Sequence, residues 1–166
     1  DPDRAEVMDF SDIYITGGQS FVCLQSNKDK FTSLEDTNKA DYTIGAQVGS
    51  IQAGLAKENS PDADIIELAK VTDIIAELLT GKMDGAYIET MVAEAYAKNY
   101  PDLCVVLDVP YDAEGSVVGI NKGNTALLEG VNAAIEACQS SGEFDGYVVK
   151  AIDQAQGDII EGLIEG

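Results

Sequence analysis

Three places in the chain carry residue types and spacings suited to holding a small charged molecule. In Tyr42-Thr43-Ile44-Gly45-Ala46-Gln47-Val48-Gly49-Ser50-Ile51-Gln52-Ala53-Gly54-Leu55 a β-branched run breaks at Gly49-Ser50 and resumes with helical spacing, the pattern of strand, tight turn and helix. The first backbone N–H groups of such a helix lack intrahelical partners and have the positive end of the helix dipole behind them. They make an anion site that needs no basic side chain. No Gly-Lys-Ser/Thr ends the turn, so it is not a Walker phosphate loop, and the expected anion is smaller than a nucleotide phosphate, such as a carboxylate. Glu89 follows the apolar run Gly85-Ala86-Tyr87-Ile88. Ligands of open α/β sheets gather beyond the carboxyl ends of strands, the edge to which both Glu89 and the Ser50 turn belong. A carboxylate there accepts bonds from an ammonium group, and Arg4, one of ten basic residues, can form a two-pronged bond with a carboxylate. Together the three read an α-amino acid zwitterion. The competing explanations are structural: Ser50 caps a helix, Glu89 sits favourably on a helix dipole, and Arg4 joins a surface ion pair.

Composition removes many other chemistries. The chain has 166 residues, 45% of them hydrophobic, which suffices for one ordinary domain or two small lobes. Thirty acidic against ten basic residues leave a net charge of −20, which repels nucleic acids and anionic membranes. There is no histidine, so Ser-His-Asp and Cys-His nucleophiles and the usual ligands of catalytic zinc are absent. No catalytic residue, metal site or cofactor is expected. Cys23, Cys104 and Cys138 show no Cys-x-x-Cys pairing; the first two lie in apolar runs and read as buried small hydrophobes. Three cysteines allow at most one internal disulfide. Asp108, Asp112 and Glu114 are spaced somewhat like a calcium loop, but Pro110 takes a ligand place and Ala113 replaces the sharp-turn glycine. Tyr87, Tyr96, Tyr111 and Tyr147 read as packing residues with wet hydroxyls. No apolar stretch approaches the ~20 residues that cross a bilayer.

The elements that must position these groups alternate. Strands are expected at 21–24, 43–47, 64–68, 84–88, 103–109 and 116–121, and helices at 50–59, 72–80 and 89–100. Thr72 is the expected N-cap of the second helix and Gly81 its stop. That order means a mostly parallel sheet with covering helices. From Asn124 the period becomes helical through Leu127, Leu128, Val131, Ile135 and Cys138 to Ser140-Ser141-Gly142. A second helix with Tyr147 and Val148 follows, then one more amphipathic turn or two at Ile159, Ile160, Leu163 and Ile164.

Five segments in order resemble one family, the type 2 periplasmic solute-binding proteins of amino-acid ABC transporters (bacterial extracellular solute-binding protein family 3). Asp1-Pro2-Asp3-Arg4, Val7, Asp9-Phe10-Ser11-Asp12 and Tyr14 resemble its Thr-Pro-Glu-Arg … Asp-Phe-Ser-x-Pro-Tyr segment. Phe31-Thr32-Ser33-Leu34-Glu35-Asp36 is similar to Phe-x-Ser-Leu-Glu-Asp-Leu, and 44–50 to Val-Gly-Val-Gln-x-Gly-Thr/Ser. Leu79-Thr80-Gly81-Lys82-Met83-Asp84-Gly85-Ala86 resembles Leu-x-x-Gly-Arg-x-Asp-Ala, and 119–124 the closing Gly-x-x-x-Lys-Gly-Asn.

The resemblance implies a two-lobed clamp holding an amino acid. Arg4 would bind the α-carboxylate from one lobe; Gly49, Ser50 and the Ile51 amide would hold it from the other, Ile51 standing where a hydroxyl residue is common. Glu89 occupies the place of an Asp that receives the α-ammonium. The implied fold is α/β and periplasmic-binding-protein type 2 like: one complete doubly wound α/β lobe at 20–115, and an incomplete second lobe from 1–19 and 116–166. The family's N-terminal stretch before the Arg segment is missing, which implies poor binding by this chain alone and disorder, rearrangement, or pairing with another chain to complete lobe one. The implied role is capture of an amino-acid ligand and delivery to an ABC transporter permease, outside the cytoplasm in the periplasm or as a cell-surface lipoprotein. A sensor domain of the same fold and, as an enzyme, a dehydratase of prephenate-like acids are the alternatives.

Overall fold

A computed structural model describes residues 2–111 and 115–155. In chain order its elements are α1 (Pro2–Val7), β1 (Met8–Phe10), β2 (Gln19–Leu24), β3 (Thr43–Gln47), α2 (Ile51–Asn59), β4 (Asp64–Leu68), α3 (Val71–Leu79), β5 (Gly85–Glu89), α4 (Thr90–Asn99), β6 (Leu103–Val109), β7 (Gly119–Asn121), α5 (Thr125–Ser141) and α6 (Glu143–Ala155). Two short 3-10 helices, Gln25–Lys30 and Leu34–Thr37, lie between β2 and β3. Two compact units are distinguished: Gly18–Tyr111, and the described parts of Asp1–Gly17 with Asp112–Asp153.

The larger unit is built on a five-stranded sheet ordered β4-β3-β5-β2-β6. β3 pairs parallel with β4 and β5, whereas β2 pairs antiparallel with β5 and β6. Four strands therefore run one way and β2 runs against them. Successive strand residues point to opposite faces, and two cores follow. Phe21, Cys23, Ile44, Ala46 and Tyr87 pack with Ala53, Leu55 and Ala56 of α2 on one face. Val22, Ala86 and Ile88 pack with Ile74, Ile75 and Leu78 of α3 and Ala93 of α4 on the other. Ile74, Ile75 and Leu78 are fully buried, each contributing roughly 1.5–3 kcal/mol relative to exposure. Gly85 fits where it does because the Phe21 ring lies over it; an added Cβ would stand 2.1 Å from Phe21 Cζ.

The chain departs from expectation in particular places. α3 starts at Val71 with Lys70 as N-cap and no side-chain cap bond; Thr72 lies inside the helix because Val71 is drawn against the second core. The Tyr87 hydroxyl is not wet. It bonds Thr37 Oγ1 at 3.0 Å and Ser60 Oγ at 3.0 Å, those two bond each other at 2.6 Å, and Thr37 donates to the Leu34 carbonyl at 2.7 Å. All three residues are 0–1% exposed.

In the smaller unit β1 and β7 form a separate antiparallel pair, Met8 opposite Asn121 and Phe10 opposite Gly119. β7 is shorter than the strand expected at 116–121, since Ser116 makes only an isolated bridge to Ile15; α1 and β1 arise from a start that read only as polar. The Asp9 carboxylate accepts from the Gly123 amide at 2.8 Å, and Gln139 reaches the carbonyls of Ile13 and Tyr14 at 3.3 and 3.4 Å. α5 is capped by Asn124 and ends at left-handed Gly142 (φ 74°), yet none of its residues is buried. The turn expected at 159–164 lies outside the described residues, as do Asp112 and Glu114.

Candidate functional site

β3 and β5 are neighbouring parallel strands, so their carboxyl ends open on the same edge of the sheet. Their pairing runs through Ile44 opposite Gly85 and Gly45 opposite Ala86, and both strands continue beyond it toward that edge. The turn after β3 and the end of β5 are thus neighbours on that edge.

The turn owes its shape to named bonds. Gly49 is left-handed at φ 70° with nothing within 4 Å of where a Cβ would stand, so backbone conformation and not space requires glycine. The Val48 amide donates to the Leu68 carbonyl at 2.9 Å, and Gln47 Nε2 to the Ala69 carbonyl at 3.0 Å. Ser50 is the N-cap of α2: its Oγ accepts from the Ala53 amide at 3.2 Å and donates to the Gln47 carbonyl at 2.6 Å. With its one proton committed, the hydroxyl can donate to an incoming anion only by releasing Gln47. The Gly49 amide bonds the Glu67 carboxylate, which lies below the usual carboxylate range, chiefly because Lys57 donates to it at 2.5 Å. The donors that α2 presents from its first turn are therefore the amides of Ile51 and Gln52, residues N1 and N2.

Glu89 ends β5 and is the N-cap of α4, its carboxylate accepting from the Val92 amide at 3.0 Å. One oxygen is engaged, and a carboxylate has further lone pairs for an ammonium group. Two residues not singled out from sequence join this edge. Gln52 Nε2 donates to Gln19 Oε1 at 2.6 Å, and Gln19 stands directly opposite Glu89 across β2 and β5. Below them Ser20 Oγ and Thr90 Oγ1 share a bond of 2.8 Å, and the Thr90 amide donates to the Gly18 carbonyl at 3.0 Å. Only the register, invisible in the linear sequence, brings Gln19 to Glu89.

The structure thus gathers Gly49, Ser50, Ile51 and Glu89 on one edge of the larger unit. Arg4 belongs to the smaller unit, exposed in the last turn of α1. Among the described residues no group of three or more Cys, Asp or Glu side chains could hold a metal ion, and no helix is long and apolar enough to cross a membrane.

Comparison with known proteins agrees with this architecture. The arginine-binding extracellular protein ArtP of Bacillus subtilis (strain 168) is 33% identical over 149 residues, covering 87% of this chain and 56% of that protein. The amino acid ABC transporter substrate-binding protein AbpA of Streptococcus pneumoniae Canada MDR_19A, solved bound to L-arginine, superposes with a TM-score of 0.88 at 28% identity, covering 95% of this chain and 66% of that one. The ancestral amino-acid-binding protein AncCDT-1, a precursor of cyclohexadienyl dehydratase, gives 0.81 at 32% identity over 90% of this chain and 64% of that one. The chain spans about half the length of the curated relatives it matches. A family model matches residues 1–154, and the chain belongs to the bacterial extracellular solute-binding proteins, family 3.

Proposed function

We propose that this chain binds an α-amino acid at the carboxyl edge of its five-stranded sheet and serves an ABC transporter permease outside the cytoplasm. The observation that carries the reading is the juxtaposition of two N-caps, Ser50 before α2 and Glu89 before α4, at the ends of neighbouring parallel strands. The Ile51 and Gln52 amides suit the α-carboxylate and Glu89 the α-ammonium. The smaller unit corresponds to lobe one, 1–19 with 116–166, and the larger to lobe two, 20–115. Each charge-assisted bond contributes about 1.5–3 kcal/mol, enough for a small ligand once water is excluded. The AbpA structure bound to L-arginine and the arginine-binding ArtP support an amino acid as ligand. α5 leaves Leu127 51% exposed, which supports a lobe one covered by further polypeptide, such as another chain. A second reading, turnover of a prephenate-like acid, draws on the AncCDT-1 likeness.

Titration calorimetry with the common amino acids, on the chain alone and joined to the N-terminal part of a longer relative, tests the proposal. Saturable binding of a free L-amino acid by the joined form, lost on N-acetylation or esterification, is expected. Equal binding of the blocked derivatives, or micromolar binding by the chain alone, would show that the pocket is assigned wrongly. Consumption of prephenate would favour the enzyme.

A further inference from the structure

Cys23 and Cys104 take no part in the ligand edge, yet they are placed on each other. They are direct partners across the antiparallel strands β2 and β6, and their sulfurs stand 3.8 Å apart. The Gln25 amide donates to the Asp102 carbonyl at 2.7 Å, which makes that opposed pair a hydrogen-bonded one. Opposed pairs alternate between the two types along an antiparallel ladder, so Cys23 and Cys104, two steps along, are again hydrogen-bonded. Their Cα atoms are then about 5.5 Å apart, inside the window of roughly 4.4–6.8 Å that a disulfide spans. Opposed Cβ atoms in such a pair stand about 5 Å apart, beyond the roughly 3.8 Å of a relaxed disulfide, so bonding the sulfurs at about 2.05 Å draws the edge strand toward β2 and leaves a strained, readily reduced bridge. β6 is an edge strand of the sheet, and the bridge would close a loop of 81 residues.

We infer that Cys23 and Cys104 form a reversible cross-strand disulfide that staples the edge strand β6 to β2. The oxidant is a low-molecular-weight disulfide. The Cys104 thiolate attacks one of its sulfurs, giving a mixed disulfide and releasing one thiol; the Cys23 thiolate then attacks the Cys104 sulfur and releases the second. Two protein thiols lose two electrons and two protons, and one small disulfide becomes two small thiols. Cys104 is the half-exposed partner and Cys23 is fully buried, which fixes that order. Burial, with the neighbouring Cys104 adding to it, pushes the Cys23 thiol up to about 12, and burial raises Cys104 as well, against the pull of Lys28. Thiolate is scarce at neutral pH, so oxidation of the folded protein is slow and quickens about tenfold per pH unit up to pH 9.

The test incubates the reduced chain with oxidised glutathione at pH 8.5, both folded and during refolding from urea. Remaining thiols are then alkylated in denaturant and the peptides mapped by mass. A Cys23–Cys104 linked peptide is expected, with Cys138 outside the link, and a linked form whose urea midpoint is higher and returns to the reduced value with dithiothreitol. The inference is overturned if Cys23 and Cys104 stay alkylatable or carry separate glutathiones under both regimes. Pairing of either with Cys138, or a linked form that unfolds at the same or lower urea concentration, overturns it equally.

Discussion

The buried hydroxyl cluster of Thr37, Ser60 and Tyr87 yields an ordering of stabilities that side-chain size alone would get backwards. Four contacts join these hydroxyls and the Leu34 carbonyl, but three hydroxyls hold only three protons. One contact is therefore oxygen against oxygen, and the cluster tolerates losing Tyr87 better than losing Thr37. In Tyr87→Phe, Ser60 donates to Thr37 and Thr37 to Leu34, so every remaining donor keeps an acceptor, and the cost is about 0.5–1.5 kcal/mol. In Thr37→Val, nearly equal in volume, the Leu34 carbonyl loses its side-chain donor and keeps the residue-37 backbone amide of the 3-10 turn. Ser60 and Tyr87 then share one contact between two protons, orphaning one proton in a dry site. That orphaned donor costs about 1–3 kcal/mol, more than the loss of the Tyr87 hydroxyl. Urea unfolding followed by circular dichroism and tyrosine fluorescence measures both, read as midpoint shifts at constant slope. A Tyr87→Phe chain as destabilised as Thr37→Val would refute the proton count and with it the dryness of the cluster.

Other expectations concern packing, pH and the ligand edge. Gly85→Ala drives a Cβ into the Phe21 ring and should cost about 1–3 kcal/mol by urea titration; a neutral result would mean that the ring moves freely. Asp36 accepts from the amides and hydroxyls of Thr32 and Ser33, and these bonds, the Thr32 hydroxyl first, hold its carboxyl low. Glu35 and Glu67 are lowered too, by a bond from the Glu35 backbone amide and by Lys57 respectively. Groups depressed in this way stabilise above their unfolded values near 3.8 and 4.5, and that stability is lost as pH falls through the folded values. The urea midpoint should thus hold above about pH 5 and fall in acid, less steeply in Asp36→Asn. Glu89→Gln keeps an oxygen for the Val92 amide but drops the charge, so stability should change by under about 1 kcal/mol. Amino-acid affinity in calorimetry should fall by about 10- to 150-fold, the equivalent of about 1.5–3 kcal/mol.

The alternation of strand and helix was legible because each element carries its own period and punctuation. Ser60-Pro61 ends α2, Gly81 ends α3 at φ 72°, and Gly142 ends α5 at φ 74°. Ser50 and Glu89 were legible as residues at strand-to-helix junctions, and in a βαβ arrangement such junctions share an edge. What was hidden is whatever depends on register or on contacts between distant segments. Thr37, Ser60 and Tyr87 meet only after three elements fold, and Gln19 reaches Glu89 only because β2 runs against its neighbours. The capture of the Gly49 amide by Glu67 reduces the turn's donors in a way that no local pattern announces. β1 and β7, at three residues each, are too short to show a period.

Amide-resolved nuclear magnetic resonance tests most directly whether the carboxyl edge of this sheet receives an amino-acid zwitterion. Titrating the isotopically labelled chain, joined to the N-terminal part of a longer relative, with L-arginine should shift the Ile51 and Gln52 amide resonances and those around Glu89 saturably. Agmatine, which lacks the carboxylate, should leave Ile51 and Gln52 unmoved. Shifts confined to other surfaces, or identical responses at Ile51 to arginine and agmatine, would contradict it.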